Sequence, residues 1–546
     1  MNSPFRLVHW DAYAKWESRS MHVLGIVLFF VSLLMAPSLV ISIVRGENSF
    51  MFYLPMALGI TLSIAFFLLF KNPATMRPAD GLLMISTLWF ALFVFGTIPY
   101  MIQGIPFVDS VFESVSGFTT AGATTIPNLA EMPMSLLIWR SMTQWIGGII
   151  VVMVFMFIMP MVVTGGRSLL SNEMSGSGGG NLYLKMGSAA KQYILVYVVL
   201  TFIYFIILML LGLTPFESCN IAMCVICTGG FMITNDSFAN YDTVIRIVVL
   251  FFMLFSATNF YLQYRAVIKR EVKGFALSEE FNIMCAWFAC VSVMICVMMT
   301  ITGSWTDDSP LTSFVDVFFS IVSIGTTTGF TTLDYTTEWP FLGLSILLVI
   351  MIVGGSTGST SGGVKMARAI ILIKAMINEV RLTIHPNAVY SVKLDKKGVD
   401  EGLVHSATVV VIMFLITIFV GMIVFDTIMG MDEAFFASAA LVTGTGPGMG
   451  SLFGDYSILP DWAKLFACGL MILGRMEIVS VLVMFTPGFW KETLGARGFN
   501  DMVGSVRTAV PKVKDRLSRK DVPDDNVGPG TPPPSDDTKD QSETDA

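Results

Sequence analysis

The sequence predicts an all-α polytopic membrane protein built from four pseudo-symmetric units around one axis, with two extra helices at the N-terminal end. Three observations carry this reading. Of 546 residues, 54% are hydrophobic and 13% charged, and the mean hydropathy is +0.72, so most of the surface must face lipid. Four short Ser/Thr/Gly segments recur roughly every hundred residues, each between apolar runs. Lysine and arginine gather in alternate connections.

Runs long enough to span a bilayer lie at roughly 22–44, 51–70, 81–102, 134–163, 190–213, 243–268, 280–302, 339–377, 402–425 and 462–489. The first is too long, and lacks the small-residue cleavage site, to be a removable signal peptide. The first two stand outside the repeat. Each later pair brackets one Ser/Thr/Gly segment: SGFTTAGATT (116–125), VICTGGFMIT (225–234), SIGTTTGFTT (323–332) and VTGTGPGMGS (442–451).

Aligned on Gly122, Gly229, Gly329 and Gly446, these segments have Phe112, Cys219, Phe319 and Phe436 ten residues upstream, and Asp109, Phe216, Asp316 and Glu433 thirteen upstream. Acidic residues there suit the start of a short helix. Its C-terminal end, negative in the helix dipole, would then point into the segment and attract a cation. Glycine lets backbone carbonyls turn toward a common axis, and four such loops form an ion selectivity filter. Non-helical backbone at membrane depth is tolerated where it lines a water-filled cavity or is buried in protein. Each unit thus reads as outer helix, pore helix, filter loop and inner helix around one pore.

All Lys and Arg except Arg45, Arg140, Arg246, Lys464 and Arg475 fall in 1–21, 71–80, 164–191, 265–279, 365–401 and 490–546. These segments are therefore expected in the cytoplasm, with both termini, and the filters outside. The outward connections are acidic, Asp109, Glu113, Glu217, Asp316 and Glu433 among them, which suits a cation-concentrating vestibule or, for some of them, helix caps. The expected division is 1–21 cytoplasmic N-terminus, 22–80 helix pair, 81–163 first pore repeat, 164–189 Gly-rich linker, 190–273 second repeat, 274–401 third repeat with a broken inner helix and gating loop, 402–490 fourth repeat, and 491–546 cytoplasmic tail. From about residue 521 the tail is rich in Pro, Asp, Ser and Thr and reads as disordered.

The run 339–377 is interrupted by Gly354, Gly355, Ser356, Thr357, Gly358, Ser359, Thr360, Ser361, Gly362 and Gly363. Glycine disfavours helix by about 1 kcal/mol each, so the inner helix must break there. Close helix packing through small residues is the alternative. A phosphate loop is not supported, because Val364 precedes Lys365 where Gly-Lys-Ser/Thr is required. Arg475 lies within an apolar run at a cost of roughly 2.5–3.5 kcal/mol, so it must face water, a partner or the pore, unless it merely bonds loop carbonyls. Seven cysteines lie in or beside apolar runs, and Cys224-x-x-Cys227 has no second pair or histidine for a zinc site. No acid/base or metal cluster suggests an enzyme.

Together SGFTTAGAT, WRSMTQWIGG (139–148), TGGF (228–231), TTTGFT (326–331), GGSTGSTSGGVK (354–365), GTGPGMG (444–450) and LGRMEI (473–478) resemble the TrkH/TrkG/KtrB/HKT superfamily of potassium transporters, nearest its bacterial TrkH branch. The resemblance spans 22 to about 492. It implies potassium bound by backbone carbonyls of Thr119, Thr120, Ala121, Gly122, Cys227, Thr228, Gly229, Thr327, Thr328, Gly329, Gly444, Thr445 and Gly446. It also implies an intramembrane gate formed by residues 354–363 with Lys365, and Arg475 obstructing the path below the filter. Four filter glycines imply potassium rather than the sodium that accompanies a first-loop serine in plant members. The departures CTGGFMI and Thr443-Gly444-Thr445 imply looser selectivity, so a sodium or mixed monovalent cation transporter is the alternative, with a membrane-embedded enzyme behind it. Further implications are a prokaryotic inner membrane, a homodimer, a separate nucleotide-binding RCK subunit of the TrkA type, no cofactor in this chain and no nucleic-acid partner.

Overall fold

The computed structural model describes residues 10–70, 78–162, 182–303, 310–476 and 486–487. Residues 164–181 of the expected linker, 477–485 of the last apolar run and the tail 491–546 lie outside the described residues.

The apolar runs fold as helices, and Pro55 and Pro99 are carried inside two of them without a break. The N-terminal group is Trp10–Leu34, Ala36–Arg45 and Phe50–Leu69. Its first run is the single span expected, Met21–Arg45, with a local irregularity at Met35, where Pro37 enters the next helix and has no N–H to continue the old one. Four units follow. Their outer helices are Pro78–Gln103, Leu182–Leu210, Glu279–Thr302 and Glu401–Asp426. Their short helices are Phe107–Phe118, Pro215–Ile226, Pro310–Gly325 and Met431–Thr443. Inner helices begin at Met134, Thr243, Phe341 and Asp461.

Among the described residues seven helices are long and apolar enough to cross a membrane, or eight if one bent pair is a single span. That pair corrects the sequence reading. The run 243–268 is two helices, Thr243–Ser256 and Phe260–Val267, bent by 112°. The break has local causes: Asn259 Oδ1 accepts the N–H of Tyr261 (2.8 Å) and so restarts a helix, while Gln263 Nε2 donates to the freed carbonyls of Phe255 and Thr258 (both 3.0 Å). The third inner helix breaks as expected, into Phe341–Val353 and Met366–Ile384. A two-residue hairpin, Lys393–Leu394 with Lys397–Gly398, is the small exception to an all-helical chain among the described residues.

The short helices are buried and the outer helices face outward. Phe112, Phe319 and Phe436 are each no more than 4% exposed, whereas Phe90, Phe202 and Phe419 stand half or more exposed on outer helices, as lipid-facing residues do. Small residues bring the layers together. Ser114 Oγ donates to Phe93 O in the first unit and Ser438 Oγ to Ile418 O in the fourth, both at 2.7 Å, and Gly96 and Gly421 leave room for these two hydroxyls.

Candidate functional site

Each short helix ends in the same turn. Thr120, Thr228, Thr327 and Gly444 have φ of 53°, 51°, 55° and 71°. The next residue's N–H bonds five residues back: Ala121 to Ser116 (2.9 Å), Gly229 to Cys224 (2.9 Å), Thr328 to Ser323 (2.8 Å) and Thr445 to Ala440 (2.9 Å). This left-handed C-cap turns the chain sharply at the negative end of the helix dipole. The following residues, Gly122, Gly230, Gly329 and Gly446, all have positive φ between 78° and 99°.

These glycines close a ring. A side chain on Gly122 would strike the carbonyl of Gly229 in the second loop, and one on Gly230 that of Thr328 in the third. On Gly329 it would strike Thr445 in the fourth, and on Gly446 it would strike Ala121 back in the first. Each missing Cβ is occupied by the next loop's carbonyl.

This geometry corrects the register of the second loop. The residue equivalent to Gly122 is Gly230, and Gly229 matches Ala121, Thr328 and Thr445. The residues ten and thirteen upstream become Asn220 and Glu217 in place of Cys219 and Phe216, so all four units carry an acid at the second position. Thr119, Cys227 and the turn residues Thr120, Thr228 and Thr327 are buried around the ring, and Gly444 is half-buried.

The acids mostly have partners, which moves them from an open vestibule to the framework. Asp109 pairs with Lys464 (2.7 Å) and Asp316 with Arg246 (2.6 Å), each cation belonging to the inner helix of the preceding unit around the ring. Glu217 forms a capping box with Thr214, and Glu433 accepts from Ser451 Oγ (2.6 Å). Behind the first two loops, Arg140 is 1% exposed and bonds Glu113 (3.0 Å), Thr124 Oγ1 (3.1 Å) and Met232 O (3.2 Å), with its guanidinium 4.0 Å from the Phe231 ring centre. Glu113 in turn accepts from Thr124 Oγ1 (2.5 Å) and Thr125 N (2.7 Å). A charged pair this buried holds its geometry because breaking it strands a charge.

The Gly/Ser/Thr segment lies against the C-terminal ends of three short helices. Thr360 Oγ1 donates to Ile226 O (3.0 Å), Gly362 N donates to Thr327 Oγ1 (2.7 Å), and Gly362 packs on Thr443 O too closely for any side chain. Gly354, Gly358 and Gly363 have φ of 74°, 75° and 78°, which explains the glycines at those turns. Two backbone bonds tie the segment to the other helix break: Ser356 N to Ala257 O and Phe260 N to Gly358 O, both 3.0 Å. Lys365, itself at φ 81°, donates its Nζ to Ser361 O. Arg475 donates NH1 to Thr360 O (2.7 Å), while its buried Nε and NH2 have no hydrogen-bond partner among the described residues.

Three residues that sequence reasoning did not single out bear on this site. Glu280 Oε1 accepts both Thr357 N (2.6 Å) and Ala367 N (3.1 Å), gripping the segment and the helix after it. Gln144 bonds the second loop. Glu47 also reaches in from the N-terminal helices, accepting from Met134 N (2.9 Å) and Ser135 N (3.1 Å) at the start of the first inner helix.

A ring of carbonyl-bearing loops at four converging helix C-termini suits a cation that exchanges its water for neutral oxygens. Comparison with known proteins identifies the family. The sequence model of the TrkH family, described as cation transport protein, matches residues 56–491. The Trk system potassium uptake protein TrkH of Halomonas elongata is 31% identical over 482 residues, covering 86% of this chain and 99% of the relative. That of Escherichia coli is 30% identical over 481 residues, covering 86% and 98%. The crystal structure of the potassium transporter TrkH from Vibrio parahaemolyticus superposes with a TM-score of 0.79 at 27% identity, covering 86% of this chain and 98% of that one. The chain therefore belongs to the TrkH family of cation transport proteins.

Proposed function

We propose that this chain carries potassium inward across the inner membrane through the ring of four loops. The observation that carries the reading is the cyclic interlock of Gly122, Gly230, Gly329 and Gly446 with the carbonyls of the neighbouring loops, which supports one narrow, oxygen-lined passage. The relatives' names as potassium uptake proteins support the choice of ion. Carbonyls of Thr119 to Gly122, Cys227 to Gly230, Thr327 to Gly329 and Gly444 to Gly446 would replace the ion's water. The test is flux into proteoliposomes for potassium, rubidium, sodium and lithium. Potassium and rubidium are expected to pass much faster than sodium and lithium; equal passage of sodium would select the mixed-cation reading.

In this proposal residues 354–363 with Lys365 form the gate, and Arg475 opposes ions beneath the filter. The chain would work as a transporter rather than an enzyme, as a homodimer, with termini in the cytoplasm and a TrkA-type RCK subunit on the cytoplasmic connections. The name Trk system borne by the relatives supports further components. The four pore repeats would divide at 81–163, 190–273, 274–401 and 402–490.

Glu280 gives this gate a direct test. Removing its carboxyl frees the two backbone N–H groups, of Thr357 and Ala367, that it accepts here and that would hold the gate closed. Glu280→Ala is expected to raise basal potassium flux about tenfold, the equivalent of one hydrogen bond to a charged acceptor lost from the closed state. Flux at or below wild type, in protein of normal yield and thermal stability, would count against a holding role.

A further inference from the structure

The second loop has an asymmetry that the four-unit pattern does not require. Where the other loops place Ala121, Thr328 and Thr445, it places Gly229, although φ at this position is not positive and the backbone does not demand glycine. The reason is space. A Cβ on Gly229 would collide with the side-chain amide of Gln144 and lie 2.9 Å from Cys227 Sγ.

Gln144 occupies that space to make two bonds. Its Nε2 donates to Gly229 O at 2.5 Å, and its Oε1 accepts from Phe231 N at 3.1 Å. The second bond fixes the amide orientation, because a backbone N–H must meet the oxygen. Gln144 is fully buried, so water does not compete with either bond. The carbonyl it engages belongs to the ring: Gly229 O is the one that fills the missing Cβ of Gly122. Among the described residues no side-chain donor engages the matching carbonyls of Ala121, Thr328 and Thr445.

We infer that Gln144 is a specificity-determining residue, which tunes one carbonyl in four by holding it with an amide N–H. The inference rests on the transport reading above. A carbonyl that already accepts a hydrogen bond offers less negative charge to an ion, and a weaker oxygen field favours the larger, more easily dehydrated cation. The bond also braces the loop from Gly229 to Phe231 against collapse around a small ion. Both effects favour potassium over sodium, and at this level of the ring both fall on the second loop; one residue further along, Tyr456 Oη donates to Gly446 O (2.9 Å) in the fourth. Glycine at 229 and glutamine at 144 are therefore one device.

The test measures the potassium-to-sodium flux ratio of the full-length protein in proteoliposomes. Gln144→Met keeps the volume and removes both bonds; Gln144→Glu keeps the acceptor for Phe231 N and turns an oxygen toward Gly229 O. Each is expected to lower the ratio by roughly fivefold, the size of one net hydrogen bond. A ratio unchanged or raised in both overturns the inference. Gly229→Ala supplies a second, steric measurement: it should cut potassium flux in the wild-type background and be tolerated beside Gln144→Ala, a coupling that a double-mutant cycle reads directly. Equal damage in both backgrounds also overturns the inference. A wild-type chain that passes no cation at all would instead overturn the transport reading, and this one with it.

Discussion

Arg475→Ala is expected to raise potassium flux between about tenfold and a hundredfold, since each ~1.4 kcal/mol taken from a barrier is a factor of ten. The guanidinium donates to Thr360 O at 2.7 Å, so it can oppose conduction in two ways: by its charge, or by latching the Gly/Ser/Thr segment. Two further variants separate them. Gln at 475 keeps a donor without the charge, and Lys keeps the charge without the planar fork. If charge is the obstacle, Gln behaves like Ala and Lys like wild type. If the latch dominates, Gln stays near wild type. Flux of Arg475→Ala equal to wild type, at normal expression, would remove the residue from the gate.

Gly329→Ala is expected to lower potassium flux by roughly a hundredfold, ~2.7 kcal/mol on the barrier, in protein that still inserts and folds. Two costs combine. At φ 83° an L side chain is strained by about 1–2 kcal/mol. The added carbon would also overlap Thr445 O and sit 2.9 Å from Pro447 Cδ, so the fourth loop must move. Gly303 separates these costs, having φ 70° and, among the described residues, nothing within 4 Å of where a Cβ would stand. Gly303→Ala carries the strain alone and should leave flux unchanged while lowering thermal stability slightly. Similar flux for both variants would mean that the ring does not line the path.

Most of the fold was legible because lipid imposes one rule along the whole chain. Apolar length gave seven of the ten expected spans among the described residues, and the repeated glycine-hydroxyl segments gave the four units. What failed depended on single contacts. TGG at 228–230 offers two glycines that nothing in the loop itself distinguishes; the acid at Glu217, next to Phe216, is the sequence signal that selects the second. The bend at 257–259 was hidden in an apolar run, although Thr258 and Asn259 are poor continuations of a helix. Gln144 and Glu280 were illegible for a plainer reason. Their partners lie 85 and 77 residues away in sequence, and a glutamine or glutamate among apolar residues does not announce what it will touch.

The interlocked ring also bears on how such a protein can change over generations. In a passage assembled from four identical chains, every inherited substitution arrives at all four corners at once, and most such changes would be too abrupt to survive. Here the corners are written separately along one polypeptide. Gly229 with Gln144 can be exchanged at one corner while the other three stay as they are, so ion preference can drift in quarter steps, each small enough to be tested by selection before the next.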